Sequence, residues 1–309
     1  KNWLGRGITV GAKGQASKLL WQVAAGITQP YILRTRNSAT LRGFFERQVR
    51  VGSHKSREIG TSITLGRGLL RKFRSQTSYS IKQISINDVS DSLRQVLLAG
   101  SVADSLTSRR EGGLTQVVIY DTRDDILNTT TGFYSLVQAN LASPLLGSSS
   151  ANRNSLFAIN GSVRKYLPIR GFPDFATSIS LGYVRALNNG LVPLDRRLFL
   201  GGDKSVRGFG IDQIGFPDGG AFAFSSQNEI RLQLKYVGLA GFVDLGGVSN
   251  TVAALSFADI RIGYGGGLRV MSPIGLIRGD IGYHRNRKGE VKTDLYDRTF
   301  FHLGLGQAF

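Results

Sequence analysis

Apolar and polar residues alternate one by one along most of this chain. Residues 228–236 read Asn-Glu-Ile-Arg-Leu-Gln-Leu-Lys-Tyr, so the aliphatic side chains share one face and the charged side chains the other. Near the C-terminus, Phe301, Leu303 and Leu305 alternate with small or polar residues in the same way. Because successive side chains of a β-strand point to opposite faces, this pattern predicts strands with one apolar and one polar face.

About fourteen segments show this alternation over a length typical of membrane-barrel strands. We predict strands at residues 7–15, 19–28, 38–49, 56–67, 72–87, 113–122, 132–142, 153–167, 174–187, 221–236, 239–249, 258–271, 275–285 and 298–309. Two connections between them are long. One covers residues 88–112, in which 92–100 are interpreted as a short helix or a further strand, and the other covers residues 188–220.

The polar faces of these strands carry charges of both signs and many glycines. In a transmembrane barrel such a face lines a wet lumen, and the apolar face meets lipid. The pattern therefore favours an all-β fold, a transmembrane antiparallel β-barrel, as a single domain over residues 1–309. A soluble β-sandwich or propeller is the alternative, although no repeat of fixed blade length supports a propeller.

The composition narrows the possible chemistry. No apolar run approaches the roughly 20 residues of a transmembrane helix, but a barrel strand needs an apolar residue only at every second position. The absence of cysteine excludes disulfides, thiol catalysis and cysteine-ligated metals. The formal net charge of +18 is spread along the chain without a basic block, so we predict no nucleic-acid partner. A polar lumen and rims that face anionic lipid headgroups account for the charge.

The long connection 188–220 contains the run Gly-Gly-Asp-Lys-Ser-Val-Arg-Gly-Phe at residues 201–209. Gly208 permits a positive φ, and Phe209 can anchor the tip of the loop in a packed environment. Arg207 can then reach a carboxylate with its planar fork. Alternation places Glu229 and Asp244 on the polar faces of their strands.

Three further motifs follow this run in order. They are Gly-Phe-Val-Asp-Leu-Gly at 241–246, Gly-Gly-Gly-Leu-Arg-Val-Met-Ser-Pro-Ile-Gly at 265–275, and Phe-His-Leu-Gly-Leu-Gly-Gln-Ala-Phe at 301–309. With them, essentially the whole chain resembles the barrel of the BamA/TamA outer-membrane insertase superfamily. That superfamily includes the two-partner secretion translocators such as FhaC and the mitochondrial sorting and assembly barrel. The resemblance implies a sixteen-strand barrel in the outer membrane of a bacterium or an organelle, with the long loop folded into the lumen.

The resemblance also implies a set of site residues. The lumen loop motif consists of Gly201, Gly202, Val206, Arg207, Gly208 and Phe209. Its arginine is expected to pair with Glu229 and Asp244 on the inner wall, since a buried arginine is costly unless it is paired. This contact either braces the wall or takes part in the working cycle, and in neither case is Arg207 an enzymatic catalyst.

The last strand has a second implied role, as the seam of the barrel and as a C-terminal insertion signal. Its residues are Phe301, Leu303, Gly304, Leu305, Gly306 and Phe309. At a weakly closed seam, a client strand can add to the exposed edge by β-augmentation and gain hydrogen bonds that lipid cannot supply. Phe309 can alternatively serve only as an aromatic anchor at the membrane interface.

The resemblance therefore implies an outer-membrane assembly factor. Its expected partners are unfolded client proteins, the lipid bilayer with its anionic headgroups, and accessory assembly subunits. A polypeptide translocator and a barrel anchor for a fused soluble domain are the alternatives. The opening residues 2–7 resemble the turn after the second family strand, so two strands and periplasmic repeats are expected upstream. Alternatively, residues 88–112 conceal two strands and the barrel is complete.

No enzyme activity, cofactor or metal site is predicted. His54, His284 and His302 have no spacing that suggests a shared metal ion. The glycine run 263–267 resembles a phosphate-binding loop only superficially, because a strand and not a helix follows it. The acidic run 121–125 could bind a cation, but it also resembles a short polar turn after a strand.

Overall fold

A computed structural model describes most of the chain. The described residues are 7–32, 35, 37–50, 53–70, 72–91, 93–95, 108–126, 128–149, 155–169, 174–187, 192–215, 217–234, 236–273, 275–285 and 298–307. In the predicted helix-or-strand segment, residues 93–95 are helical and 96–100 lie outside the described residues. None of the described helices is long and apolar enough to cross a membrane.

Fourteen strands form one antiparallel sheet among the described residues, and their order in the sheet is their order in the sequence. They are β1 (Thr9–Ala16), β2 (Leu20–Gln29), β3 (Asn37–Val49), β4 (Lys55–Leu70), β5 (Phe73–Asn87), β6 (Arg109–Asp121), β7 (Gly132–Ala142), β8 (Leu156–Leu167), β9 (Asp174–Ala186), β10 (Phe222–Gln233), β11 (Val237–Ser249), β12 (Arg261–Ser272), β13 (Gly275–His284) and β14 (Thr299–Leu305). Short 3₁₀ turns lie at Pro144–Leu146, Leu194–Arg196, Val252–Ala254 and Phe257–Asp259. The predicted all-β fold and its fourteen strands are confirmed.

Several strand boundaries differ from the prediction by three or four residues, among them the start of β6 and the end of β10. β6 begins at Arg109 and not at residue 113, because the polar face of the strand continues through Arg109 and Glu111. β10 ends at Gln233, although the apolar alternation continues to Tyr236. The backbones of Leu234 and Val237 exchange two hydrogen bonds there, which closes a tight hairpin that the alternation alone does not mark.

The chain divides into two compact units. The first consists of Lys1–Ile119, Val137–Asn160 and Tyr183–Arg197, and contains a small apolar cluster of Ile86, Leu93 and Leu194. The second consists of Tyr120–Leu136, Gly161–Gly182 and Leu198–Phe309, and contains the cluster Val206, Phe209 and Ile214. The single-domain organisation stays a prediction.

The two faces of the strands are inverted relative to those of a soluble protein. In the second unit, Ile230 and Leu239 are more than half exposed, whereas Glu229 and Asp244 on the opposite face are fully buried. In the first unit, Ile59 and Ile63 of β4 are exposed, while Glu58, next to Ile59 in the sequence, lies on the other face. A contiguous exposed apolar surface of this kind needs lipid rather than water as its solvent.

Candidate functional site

The part of the long loop in the second unit is a folded hairpin and not an extended connection. Isolated bridges join Leu198 to Gly220, Leu200 to Ile214 and Gly202 to Val206. These bridges return the chain on itself, so that residues 201–209 form the tip. Val206 and Phe209 at this tip are buried.

Arg207 is fully buried and lies against three carboxylates. Its Nε and Nη2 donate to the two carboxylate oxygens of Asp244, at 2.7 and 2.9 Å, which is the bidentate fork geometry. Its Nη1 donates to Glu229 Oε2 at 2.6 Å and to Asp280 Oδ2 at 3.3 Å. Its backbone N–H donates to Asp244 Oδ2 at 3.0 Å, so Asp244 fixes both the main chain and the side chain of Arg207.

Three strand arginines extend this contact into a network. Glu229 Oε1 accepts from Arg231 Nε at 2.8 Å and from Arg269 Nη2 at 3.0 Å. Asp280 accepts from Arg269 at 2.5 Å and from Arg278 at 3.2 Å, and Arg278 reaches the loop residue Asp203 at 2.9 Å. Four arginines (207, 231, 269 and 278) thus meet four carboxylates (203, 229, 244 and 280), and the formal charge of the network is zero.

Pairing outweighs the electrostatic cost of burial at the loop arginine. Burial alone would lower the pKa of Arg207, but the hydrogen bonds that it donates to Asp244 and the charges of Asp244 and Glu229 raise this pKa above its ordinary value. The ring of Phe242 adds a cation–π contact, with the guanidinium carbon 3.6 Å from the ring centroid. Arg207 is therefore permanently charged and held on several sides.

Glycine allows the loop tip to approach the strands at main-chain distance. Gly208 has a φ of +93°, and a Cβ there would collide with the backbone of Tyr283. A Cβ on Gly263 of β12 would overlap the carbonyl oxygen of Arg207. His284 Nδ1 donates to the Gly208 carbonyl at 2.5 Å, and its ring stacks on Phe209 with centroids 4.1 Å apart.

The structure brings together residues that the sequence did not pair with Arg207. Asp280, Arg269 and Arg278 complete the network. Alternation with Ile277 and Ile281 puts Arg278 and Asp280 on one polar face, but it joins neither of them to Arg207. The cross-strand register carries the missing signal, because Arg269 lies directly opposite Arg278. Two like charges in that position destabilise a sheet unless a carboxylate compensates them, and Asp280 does so.

A second ion-pair cluster lies in the first unit and was not predicted. Arg109 donates through both terminal nitrogens to the two oxygens of Asp195, each at 2.7 Å. Arg196 donates to Glu111, which also lies 3.9 Å from Lys82. Burial alone would raise the pKa of Asp195, but the charge of Arg109 outweighs it and lowers this pKa to about 2. The cluster holds the 3₁₀ turn at the start of the long loop, together with the buried Leu194.

The last strand, β14, pairs with β13 in a register that runs from Ile277–Leu305 to Tyr283–Thr299. Phe301, Leu303 and Leu305 expose between 62% and 69% of their surface, so the apolar face of this strand is uncovered. Gly304 lies over the Arg278 guanidinium, and Gly306 donates its N–H to the Leu276 carbonyl at 2.7 Å. Phe309 lies outside the described residues.

The carboxylates of the acidic run 121–125 accept hydrogen bonds from residues of the same turn. Asp121 accepts from Arg123 at 2.9 Å, and Asp124 accepts from the backbone and side chain of Thr130. Across the described ranges, no three His, Asp or Glu side chains converge in a way that could hold a metal ion. His284 contacts the loop, as given above, and His54 bonds to Ser53 at 3.0 Å.

The Omp85 superfamily domain matches residues 2–309 of this sequence. The chain belongs to the Omp85 superfamily. Its fold is similar to that of BamA from Haemophilus ducreyi lacking POTRA domains 1-3, with a TM-score of 0.79 and 19% sequence identity. It is also similar to CdiB from Acinetobacter baumannii, with a TM-score of 0.54 and 15% identity. No curated protein matches the chain.

These matches cover nearly all of this Omp85 chain but only part of each solved structure. The chain is covered to 93% and 97%, whereas 63% of the BamA structure and 53% of the CdiB structure are covered. The fold is thus the transmembrane antiparallel β-barrel of the superfamily, and the protein resides in an outer membrane.

Proposed function

We propose that this Omp85 protein is an outer-membrane assembly factor that inserts β-barrel or autotransporter clients through a lateral seam. The observation that carries the proposal is the charge-neutral network around Arg207, which fastens the loop tip to four strand positions: Glu229, Asp244, Arg278 and Asp280. A network with this many buried charges is a poor source of net stability, because desolvation consumes most of the Coulombic gain. It does, however, hold the loop in one defined place.

In the proposed mechanism the loop keeps the strands beneath it in register while the seam opens. Arg207 contacts β10, β11 and β13 at the same time, through Glu229, Asp244 and Asp280. Three strands tied to one cation resist sliding past one another, because a shift of one residue would turn each carboxylate to the lipid face. The seam can then open while the other strands keep their pairing.

Client insertion proceeds by β-augmentation at the last strand. β14 has seven residues, three fewer than its neighbour β13, and it is the last strand of the described sheet order. An incoming client strand gains backbone hydrogen bonds that lipid cannot supply, and it buries apolar surface at the same time. The step needs no cofactor and no covalent chemistry. The proposal includes accessory subunits. It also includes a single barrel domain with two further strands and soluble repeats upstream.

Site-specific crosslinking tests the seam, since residues 1–309 contain no cysteine and an introduced thiol is unique among them. We expect Leu303→Cys in the full-length protein to form disulfides with cysteines in the C-terminal strand of a client during insertion into phosphatidylcholine vesicles. Leu268→Cys is the matched control, because Leu268 is also lipid-exposed but β12 pairs on both edges. Equal crosslinking at both positions would contradict β-augmentation at β14.

The loop is tested separately with Arg207→Ala. We expect this variant to insert clients at a rate at least about tenfold lower, the effect of about 1.4 kcal/mol on the activation free energy. Arg74→Ala, on β5, controls for removal of an arginine elsewhere. Normal client insertion by Arg207→Ala, together with unchanged protease protection of its loop, would refute the role of the network.

A polypeptide translocator is the second candidate, favoured by the ionic character of the loop contact. When the loop leaves the polar face, water can replace its charged contacts more easily than it could replace the contacts of an apolar loop. A translocator would contact an extended client along the polar face, so Ser225→Cys, on the same face of β10 as Glu229, would crosslink to it. Leu303→Cys would then give no crosslink.

A further inference from the structure

The lipid-facing side of the first unit carries an unusual row of side chains. Across neighbouring strands the register aligns Trp21 of β2 with Arg47 of β3, and Arg47 with Arg57 of β4. Residues opposite one another in a sheet share a face, and all three side chains are exposed. Exposed Lys18 lies in the adjoining turn.

The two arginines form a like-charge pair directly across two strands, which by itself destabilises the sheet. In the second unit the equivalent pair, Arg269 and Arg278, is compensated by Asp280. For Arg47 and Arg57, no ion pair or hydrogen bond of the side chain occurs within the part of the chain that the structure describes. The pair therefore leaves a site for an anion that the protein does not supply.

The nearby carboxylates are engaged elsewhere. Glu58 accepts from Lys82 at 2.6 Å on the opposite face of the sheet, and Glu46 accepts from Gln22 at 2.7 Å. Asp88 at the rim is bound to Lys55 at 2.8 Å, which lowers the pKa of Asp88, and the more distant charge of Arg47 adds to this shift. The exposed charge of the row is therefore positive.

The row marks one edge of the apolar band. Below it on the same face lie Ile59, Ile63 and Leu65 of β4, all exposed, and the next charged residue on this face of β4 is Arg67. Ten residues of strand separate Arg57 from Arg67, or about 33 Å. With the usual tilt of about 40° this gives a height of about 25 Å, the thickness of the apolar band of an outer-membrane barrel. Arg47 and Arg57 thus lie at headgroup depth.

An open groove of about 630 Å³ follows this row and includes Lys18, Trp21 and Phe45. The rings of Trp21 and Phe45 meet edge to face, with centroids 5.4 Å apart. Trp21 lies level with Arg47, and Phe45 lies two residues further along β3 toward the apolar band, which suits the interface and upper acyl region of a lipid, where aromatic rings concentrate. The groove therefore offers cations for a headgroup and rings for the chain beneath it.

We propose that Arg47, Arg57 and Lys18, with Trp21 and Phe45, bind the phosphate-bearing headgroup of a lipid in the leaflet at this rim. Two guanidinium groups side by side match the oxygens of one phosphate group or of two adjacent ones. The turn at residues 17–19 lies at the same end of the strands as the long loop, so the leaflet is the one on the long-loop side. The proposal depends on the outer-membrane location and not on the assembly activity.

Trp21 is a built-in reporter for this site, because the chain has two tryptophans and Trp3→Phe leaves only Trp21. The probes are phosphatidylglycerol and phosphatidylcholine with bromine on the upper acyl chain, mixed in vesicles that contain the reconstituted full chain. We expect Trp21 quenching to report a preference for phosphatidylglycerol of at least about fivefold at low salt, the effect of one arginine near an anionic surface. The Arg47→Gln/Arg57→Gln variant should lower this preference to about one.

Two matched variants distinguish the site from general surface charge. Arg67→Gln removes an exposed arginine from the same strand at the opposite rim, and should leave the preference at Trp21 unchanged. Arg47→Lys/Arg57→Lys retains the charge and should retain most of the preference. An equal loss in Arg67→Gln, or an unchanged preference in the double glutamine variant, would overturn the proposal. Loss of the preference in inorganic phosphate, but not in sodium chloride of the same ionic strength, would also overturn it, since the site would then bind free anions.

Discussion

At the scale of single residues, the chemistry of this protein is concentrated on a buried arginine. Arg207 uses its fork on Asp244 and its remaining nitrogen on Glu229 and Asp280. A lysine could supply the charge but not the planar fork, so the position is specific for arginine. Because the charges of the network balance, removal of any one carboxylate leaves an uncompensated buried cation.

Asp244→Asn tests this balance. We expect a loss of about 3–5 kcal/mol in the free energy of unfolding, because the substitution breaks a buried ion pair and leaves the guanidinium in place. The measurement is equilibrium urea unfolding in phosphatidylcholine vesicles, with tryptic cleavage after the exposed Lys204 as a local readout of the loop. Asp88→Asn breaks an exposed ion pair and should change neither quantity. Equal stability of the two variants would show that the network contributes nothing.

The sequence located some members of this network and not others. Alternation placed Glu229 and Asp244 on polar faces, and the family resemblance joined them to Arg207. Asp280 was not predicted as a partner of Arg207, because several polar residues share its face. The sequence does not say which of them lies at the depth of the guanidinium. That depth depends on the stagger between β11, β12 and β13, which is a property of the pairing register.

At the scale of secondary-structure elements, the long loop is fastened separately within each compact unit. In the second unit the contact is the Arg207 network, and in the first it is the 3₁₀ turn Leu194–Arg196 against Arg109 and Glu111. The second contact was not predicted because its partners are 85 and 86 residues apart and match no local pattern. Ion pairs between residues so far apart in the sequence can be recognised only in the tertiary structure.

The 3₁₀ turn gives a pH-dependent prediction. The pKa of Asp195 is lowered from 3.8 to about 2, so its stabilisation is fully present above pH 3.8 and is lost as the pH falls through about 2. The shift corresponds to about 2 kcal/mol. We expect Asp195→Asn to be less stable than the unsubstituted protein at pH 7, with the difference in unfolding free energy shrinking between pH 4 and pH 2. A difference that stays constant over this range would contradict the prediction.

At the scale of the whole molecule, the alternation of apolar and polar residues determines which face of the sheet meets lipid. The exposed face is aliphatic and the covered face is ionic, the reverse of a soluble sheet. This inversion costs little in an outer membrane, because the apolar face meets lipid and neighbouring strands hydrogen-bond to one another.

Ile63 and Thr64 are neighbours on β4 near mid-height of the apolar band, on opposite faces, and they test the inversion directly. Ile63→Arg should destabilise the protein folded in phosphatidylcholine vesicles by about 2–4 kcal/mol, the cost of an arginine at the bilayer midplane. Thr64→Arg points the same side chain to the polar face and should cost clearly less. Urea unfolding of both variants provides the measurement. A larger cost for Thr64→Arg would reverse the assignment of the two faces.

The sequence by itself determined the strands, their two faces and the identity of the arginine loop, because each of these is encoded in residues that are neighbours along the chain. Only the tertiary structure decided which charges meet. The partners of Arg207, the second cluster at Asp195 and the exposed pair Arg47–Arg57 all depend on cross-strand register. Register is set by the summed fit of whole strands, so no short stretch of sequence contains it.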